Sequence, residues 1–234
     1  MNTKFLSTLT ATATATAAAT ALFGAAAPAQ AASFGTGGIS FKTDTEVFFT
    51  FKESHGWYKS SLGIYEVKDS TLSIAKTLFT ETKSSDNGAA DEYKGTLGNT
   101  VLGPGKVAFT FVANKIYTLG LASSGFSTVF STSGLNGGKQ QAVFGGPSLL
   151  TALDLETTKT FKAAGENTNG LSSLFSGGSI ISFDDGGNYK DKDFQDFTVA
   201  AEAVPEPMTM TGLALGLGGL VAARRRRRGS NTAS

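Results

Sequence analysis

VAFTFVANKIYTLGL, residues 107–121, is the stretch that decides the fold class. Val107–Val112 and Ile116–Leu121 are short runs of β-branched and aromatic residues, and each alternates in part between apolar and polar side chains. A period of two is typical of a strand with one buried face. Ala113-Asn114, which separates the two runs, is suited to a tight turn. The stretch therefore predicts two β-strands joined as a hairpin.

The same pattern recurs on both sides of this stretch. Val47–Phe51 and Leu62–Val67 are further strand-like runs. Turn signals separate the runs at His55-Gly56, Asp86-Asn87-Gly88, Gly103-Pro104-Gly105 and Asn136-Gly137-Gly138. Many short strands between glycine-rich turns favour a sandwich over a barrel. We therefore expect residues 32–203 to form one all-β domain, a sandwich or jelly roll.

Two segments of this domain fit the strand pattern less well. Leu149–Leu155 is short and apolar, which is compatible with one helical turn or with a short strand. Ser123–Gly146 is rich in Gly and Ser, so we expect a long loop or an irregular sheet edge there.

The first 31 residues have the three parts of a secretory signal peptide. Lys4 is the single positive charge, Phe5–Ala27 is apolar or small, and Ala29-Gln30-Ala31 is a small-x-small cleavage site. We therefore predict export through the inner membrane, with cleavage between Ala31 and Ala32.

The C-terminal end also carries three parts in a fixed order. Val204-Pro205-Glu206-Pro207 is stiffened by its two prolines and precedes the apolar, uncharged segment Met208–Ala223. As a helix this segment would span about 24 Å, close to the ~30 Å hydrocarbon core of a bilayer. Arg224–Arg228 then favours a cytoplasmic location for the extreme end. We therefore predict a C-terminal hydrophobic helix that serves as a temporary transmembrane anchor.

Residues 204–234 resemble the PEP-CTERM sorting signal of Gram-negative bacteria. The Pro-Glu-Pro motif at residues 205–207, the apolar run and the arginine cluster match that signal in order and in position. The resemblance implies recognition by an exosortase, a membrane protease that removes the tail and releases or re-anchors the remainder. It also implies a destination at the cell surface or in the extracellular biofilm matrix. A plain tail anchor is the alternative interpretation.

Processing changes the charge of the chain. The net charge of +1 includes Lys4 and the five tail arginines, which are six of the twenty basic residues. Their removal leaves fourteen basic residues against nineteen acidic ones, so the mature protein carries a net charge of −5 if Glu206 is retained. Because phosphate binding needs a basic face, nucleic acid is not an expected partner.

Cysteine is absent and histidine occurs once, at His55. The absence of cysteine excludes disulfides, thiol nucleophiles and Cys-ligated metal centres. The residues around His55 are more typical of a turn between strands than of a catalytic base. Paired carboxylates such as Glu46 and Glu53, or Asp184 and Asp191, have glycosidase chemistry, but such pairs are common in soluble chains. We therefore predict that the protein is not an enzyme, with a secreted hydrolase of matrix glycans as the alternative.

The densest polar cluster spans Asp184–Asp196, between the apolar runs Ile180–Phe183 and Phe197–Val199. Its candidate ligands are Asp184, Asp185, Asn188, Asp191, Asp193 and Asp196. Like charges so close repel one another unless a cation neutralises them, and Ca²⁺ accepts about 6–8 oxygen ligands in irregular geometry. The spacing is not that of an EF-hand, whose twelfth position is Glu, because that position here is Gln195. The cluster predicts a calcium site, and a solvated acidic loop compensated by nearby lysines is the alternative.

Two stretches are similar to an uncharacterised β-rich domain of bacterial surface proteins. The closing signature of that domain, an Asp-x-Asp-Phe/Tyr-x-Asp run after a Gly-Gly pair, is similar to Asp191–Asp196 following Gly186-Gly187. Its opening is loosely similar to Phe48–Tyr65, and the insertion at 188–190 departs from the compact signature. The resemblance implies an exported β-rich module and no assigned reaction.

Trp57, Tyr58 and Tyr65 are candidates for a glycan-binding surface, because aromatic rings stack on the apolar faces of sugars. The alternative is an ordinary place in the core or on a strand surface. Taken together, these features predict an exported protein of structural or adhesive type, with surface exopolysaccharide as the nearest specific partner.

Overall fold

A computed structural model describes residues 32–56, 58–69, 71–83, 94–153, 165–186 and 193–204. They belong to one compact unit that begins at Ala32. Within these ranges, no helix combines the length and the apolar character needed to cross a membrane. The predicted signal peptide and the predicted hydrophobic helix Met208–Ala223 lie outside the described residues.

The described chain is mostly β-strand, in two antiparallel sheets. The first sheet comprises β1 (Ser33–Gly35), β2 (Gly38–Ser40), β4 (Ser60–Lys68), β5 (Thr71–Thr80), β8 (Ile116–Ser123) and β9 (Val129–Phe130). Its strand order is β1-β2-β8-β4-β5, and β9 pairs with β8. β4 and β5 form a hairpin that turns at Asp69, whose φ of 48° suits a tight turn.

The second sheet comprises β3 (Thr45–His55), β6 (Lys94–Gly95), β7 (Lys106–Phe111), β10 (Ala142–Gly145), β11 (Ser179–Phe183) and β12 (Phe197–Ala203). Its strand order is β10-β11-β12-β3. The outer edge of β3 is shared by β7, along Thr45–Thr50, and by β6, along Ser54–His55. Two short helices, α1 (Pro147–Leu153) and α2 (Leu171–Leu174), and a 3₁₀ turn at Ser133–Asn136 complete the described elements.

Both sheets contribute to one hydrophobic core. The first sheet supplies Ile39, Leu62, Ile64, Leu119 and Leu121, and the second supplies Phe49, Phe51, Phe144, Ile181 and Phe197. Phenylalanine rings fill much of the space and meet edge-on, as Phe51 and Phe197 do with centroids 5.4 Å apart. Since the chain has no cysteine, burial of this apolar surface is what holds the two sheets together.

The four predicted strands are confirmed, but the predicted hairpin at 107–121 is wrong. β7 pairs with β3 in the second sheet, whereas β8 pairs with β2, β4 and β9 in the first sheet. Phe111 and Tyr117 approach from the two sheets and meet in the core with ring centroids 5.1 Å apart. Residues 112–115 are therefore a crossover between sheets, and Asn114, with a φ of 62°, makes its turn. A period of two in the sequence indicates that a strand has one buried face, but it does not indicate which other strand it pairs with.

The two segments that fitted the strand pattern poorly have mixed structure. Within the predicted helical turn or strand at Leu149–Leu155, residues 149–153 belong to helix α1, which begins at Pro147, a favoured first helical residue, and residues 154–155 lie outside the described residues. Leu149 and Leu153 of this helix pack on the outer side of the second sheet in a small separate cluster. The expected irregular edge at Ser123–Gly146 holds the short strands β9 and β10 and the 3₁₀ turn.

β12 has one end near the acidic loop and the other near the C-terminal tail. Its first residue, Phe197, lies beside the end of β11, and its last residue, Ala203, lies beside the beginning of β3. The N–H of Val204 then donates to the carbonyl of Glu46 (3.0 Å). We call these two ends of the sheet the hairpin end and the Val204 end. The 7 residues of β12 hold them about 20 Å apart.

Candidate metal centre

Three aspartates meet at the hairpin end. Asp184 and Asp185 directly follow β11, and Asp196 directly precedes β12. Phe183 pairs with Phe197 at this end, so antiparallel pairing of the strands brings the two ends of the acidic loop together. Each of the three carboxylates can offer one oxygen, and these oxygens all lie within 4.8 Å of one another.

Hydrogen bonds orient these carboxylates from within the loop and from the first sheet. Asp184 Oδ1 accepts the N–H of Gly186 (2.8 Å), and Asp196 Oδ2 accepts the N–H of Asp185 (2.7 Å). The hydroxyl of Ser123, at the end of β8, donates to Asp185 Oδ2 (3.1 Å). Asp184 and Asp185 are both buried. Asp196 is half-buried, and residues 187–192 of the loop lie outside the described residues.

The backbone of the cluster is held by neighbouring segments. The N–H of Asp184 donates to the carbonyl of Gln141 (3.1 Å), just before β10. The N–H of His55, the last residue of β3, donates to the carbonyl of Asp196 (3.0 Å). Segments far apart in sequence therefore position the three acids, and their arrangement depends on the complete second sheet.

Gly56 makes room for one of the carboxylates. Its φ of +123° is a conformation that side-chain-bearing residues rarely adopt. A Cβ at this position would lie 3.3 Å from Asp196 Oδ1, which is tighter than ordinary contact. A glycine here therefore meets two requirements at once, the backbone turn after β3 and the space beside Asp196.

The electrostatics of the cluster oppose ionisation of Asp196. Burial raises the pKa of Asp196 well above its usual range, and the charges of Asp185, Asp193 and Asp184 raise it further, against a lowering by the hydrogen bond from the Asp185 N–H. The cluster therefore favours either a proton or a cation. All donors are oxygens, which suit a hard cation such as Ca²⁺ rather than a metal that prefers nitrogen or sulfur.

The spacing of the oxygens agrees with this chemistry. Oxygens bound to Ca²⁺ lie about 2.3–2.6 Å from the ion, so two ligands on opposite sides are about 5 Å apart. Separations of up to 4.8 Å therefore allow Asp184, Asp185 and Asp196 to share one ion. Asp193 lies close enough to influence Asp196 electrostatically. The predicted ligands Asn188 and Asp191 lie outside the described residues.

Some residues of the cluster were not foreseen from the sequence. Ser123 and Gln141 occur in a stretch expected to be loop, and their types carry no signal for a metal site. The sequence indicates a turn at Gly56 and does not indicate its position beside Asp196. The turn also begins one residue later than predicted, since His55 is still paired within β3.

Glu53, His55 and Lys94 form a polar group on β3 and β6. Lys94 Nζ lies 2.9 Å from Glu53 Oε2, and His55 Nε2 lies 3.6 Å from Glu53 Oε1. Burial by itself would raise the pKa of Glu53, but its interactions with His55 and Lys94 bring the pKa below its usual value. Glu46 is seven residues from Glu53 on the same strand, about 20 Å away, and a glycosidase pair needs about 5–9.5 Å.

Two of the three candidate glycan-binding aromatics are described, Tyr58 just before β4 and Tyr65 on β4. Tyr58 is exposed and meets Phe126 edge-on with centroids 5.0 Å apart. Tyr65 is half-buried against Phe130, and a Cβ on Gly120 would lie 2.6 Å from its ring, so Tyr65 covers the glycine backbone of β8. Trp57 lies outside the described residues.

A buried glutamate that no sequence pattern singles out joins the two sheets. Glu81, just after β5 of the first sheet, accepts the N–H of Ser60 at the start of β4 (2.7 Å) and the hydroxyl of Ser54 on β3 of the second sheet. Only glycine fits at Gly95 on β6, because a Cβ there would collide with Ser54 Oγ. The carboxylate thus forms a polar link between the sheets beside the apolar core.

Most residues of the predicted processing sites lie outside the described residues. Ala29, Ala31 and Pro205-Glu206-Pro207 are among them, as are Met208–Ala223 and Arg224–Arg228. Ala32 and Val204 are described. Ala32 packs partly buried against the core, and Val204 is exposed after the last strand.

Comparison of the chain with protein-family models, with curated proteins and with solved structures found no match.

Proposed function

We propose that the chain is an exported protein of the cell surface or extracellular matrix, with a structural or adhesive role. Its working part is a β-sandwich domain at residues 32–203, stabilised by a calcium ion at the acidic hairpin end. Its C-terminal signal is read by an exosortase-like protease while the apolar segment holds it transiently in the membrane. Surface exopolysaccharide is its proposed partner.

The observation that carries this proposal is where the two sheets begin and end. β1 begins at Ser33, two residues after the predicted cleavage at Ala31. β12 ends at Ala203, and the last backbone hydrogen bond comes from the N–H of Val204, just before Pro205. Removal of both predicted signals would therefore leave every described strand, and the shared core, intact. This arrangement is what a protein needs if both of its ends are to be processed.

The calcium part of the proposal is supported by the burial of Asp184 and Asp185 and by the closeness of both to Asp196. Three carboxylates with oxygens within 4.8 Å disfavour folding unless protons or a cation compensate them. Calcium is common outside cells, and a chain without disulfides gains stability from an ion that binds only the folded state. We assign the ion a structural role, which the burial of Asp184 and Asp185 and their hydrogen bonds support.

Mass spectrometry of the exported protein, from a host with and without the sorting protease, tests the targeting part. We expect a mature chain that begins at Ala32 and ends near Pro205–Pro207. Glu206→Ala should leave export intact and trap the protein in the membrane. Glu202→Ala, which removes an exposed acid two residues before Val204, is the matched control and should be processed normally. Normal processing of Glu206→Ala would mean that the tail is only an anchor.

A further inference from the structure

The Val204 end of the domain carries an exposed apolar patch, and we infer that this patch rests on the surface of the lipid bilayer while the tail is inserted. The inference rests on the proposed membrane insertion of Met208–Ala223, and it adds an orientation and a second, direct contact between the folded domain and lipid.

The patch consists of four large apolar side chains on separate segments. The exposed fractions are 41% for Val112, 55% for Ile116, 52% for Phe175 and 36% for Val204. Single exposed apolar residues are ordinary on a protein surface, but a group of them at one place indicates an interaction site.

Contacts place these four residues at the same end of the two sheets. Val112 and Ile116 flank the crossover between sheets, where the N–H of Asn114 donates to the carbonyl of Phe41 (2.8 Å). The ring of Phe41 in turn meets Phe175 edge-on, with centroids 6.4 Å apart. The crossover and Phe175, the residue after α2, are therefore both neighbours of Phe41.

Val204 lies at the border of the patch. Val112 directly follows Phe111 of β7, which pairs with Thr45 of β3. Val204 directly follows Ala203 of β12, which pairs with Val47 of β3. β3 runs between them, so the two backbones are about two strand spacings, or 10 Å, apart across the sheet. The patch thus extends to the point where the chain leaves the last strand.

The sequence beyond Val204 identifies the occupant as a bilayer. Only Pro205-Glu206-Pro207 separates Val204 from the apolar segment that begins at Met208. The four residue steps from Val204 to Met208 span at most about 14 Å even when fully extended. Insertion of that segment therefore keeps the Val204 end within about 14 Å of the hydrocarbon, and the exposed apolar side chains at this end are the ones nearest the interface.

Charge does not select a particular lipid at this surface. Lys42 and Lys115 border the patch, but Asp44 and Glu46 lie beside them, and Lys115 is paired with Glu66 (2.9 Å). Opposite charges are therefore mixed, and apolar burial provides the attraction. We expect the contact to form on zwitterionic phosphatidylcholine and to be insensitive to salt.

The consequence is an oriented domain. β12 runs from the acidic hairpin end to the Val204 end, so a domain seated on the membrane presents the Asp184, Asp185 and Asp196 cluster about 20 Å farther out. The proposed calcium site then faces the exterior, where the ion and matrix partners are available.

The absence of cysteine allows a direct test with single labels. Ile116→Cys and Phe175→Cys report on the Val204 end. Leu97→Cys and Leu102→Cys are matched controls, because these leucines are also exposed (47% and 59%) but belong to the β6–β7 connection, toward the hairpin end. Each full-length variant is labelled with an environment-sensitive fluorophore, reconstituted into phosphatidylcholine vesicles and titrated with brominated lipid.

Interfacial apolar groups sit about 5–10 Å into the headgroup region, so labels at 116 and 175 should be quenched about twofold or more relative to those at 97 and 102. If the protein floats with the vesicles but all four labels are quenched equally, the patch does not touch lipid and only the tail does. If the protein does not float with the vesicles, the proposed membrane insertion fails and this inference fails with it. Two labelled positions at each end keep the comparison of the ends valid if one of the substitutions disturbs folding.

Discussion

Asp196→Asn should stabilise the protein without calcium and destabilise it with calcium. The amide of Asn is nearly isosteric with the carboxylate, and its oxygen can still accept the N–H of Asp185, which lies 2.7 Å from Asp196 Oδ2. The substitution therefore removes one charge from the cluster and leaves its packing in place. If the effect of the substitution on stability changes sign between the two conditions, the cluster is a metal centre rather than an acidic turn.

The effect without metal follows from the raised pKa of Asp196. Between the unfolded value near 3.8 and the raised folded value, the folded state binds more protons, so the free energy of unfolding decreases as pH rises through this window. Each pKa unit of that difference costs the ionised form about 1.4 kcal/mol. The amide that replaces the carboxyl group does not titrate, so the free energy of unfolding of the variant should not decrease with pH in this window. Above the window the variant should therefore be more stable than the parent protein.

The effect with calcium follows from mass action. An ion that binds only the folded state at a hundredfold excess over its Kd stabilises it by about 2.7 kcal/mol. For a domain of this size, that is a rise of roughly 5–10 °C in melting temperature. Loss of the Asp196 charge should remove most of the rise, and Asp191→Asn with Asp193→Asn tests two further predicted ligands in the same way.

The assay is calorimetry of the exported protein, with millimolar calcium and with chelator, at several pH values. The control is Asp69→Asn, because Asp69 is an exposed aspartate in the β4–β5 turn. This substitution should not change the melting temperature in either condition. Equal melting temperatures of the parent protein in calcium and in chelator would refute the calcium site. A variant less stable than the parent in chelator would refute the electrostatic argument.

Two further substitutions test the supports of the fold and the cluster. Glu81→Ala should lower the free energy of unfolding, measured with urea, by about 2–6 kcal/mol, because Ser54 and Ser60 each lose a buried hydrogen-bond acceptor at about 1–3 kcal/mol. Glu81→Gln should cost less. A loss near zero for Glu81→Ala would mean that the glutamate does not join the sheets. Gly56→Ala should cost about 1–3 kcal/mol in backbone strain and should also weaken calcium binding, measured by titration calorimetry. Gly98→Ala is the control, because Gly98 also has a positive φ but has open space around it, so this substitution should add strain alone. Equal calcium affinity in the two variants would contradict the role of Gly56 beside Asp196.

The sequence by itself determined the strands and the acidic loop. Val47–Phe51, Leu62–Val67 and the two runs of 107–121 are rich in β-branched and aromatic residues and several of them alternate with period two. Each lies mainly in a strand, because these preferences are local consequences of strand geometry. The acidic residues between β11 and β12 could likewise be identified as a cluster, since their closeness in sequence already brings the charges together.

Only the tertiary structure decided which strands pair and which distant residues complete the cluster. β7 and β8 are neighbours in sequence but lie in different sheets, because their apolar faces pack against each other across the core. Ser123, Gln141 and Gly56 reach the aspartates from three other segments, and Glu81 becomes a buried link only when both sheets are present. Such contacts depend on long-range packing of the whole chain, and no local pattern in the sequence records them.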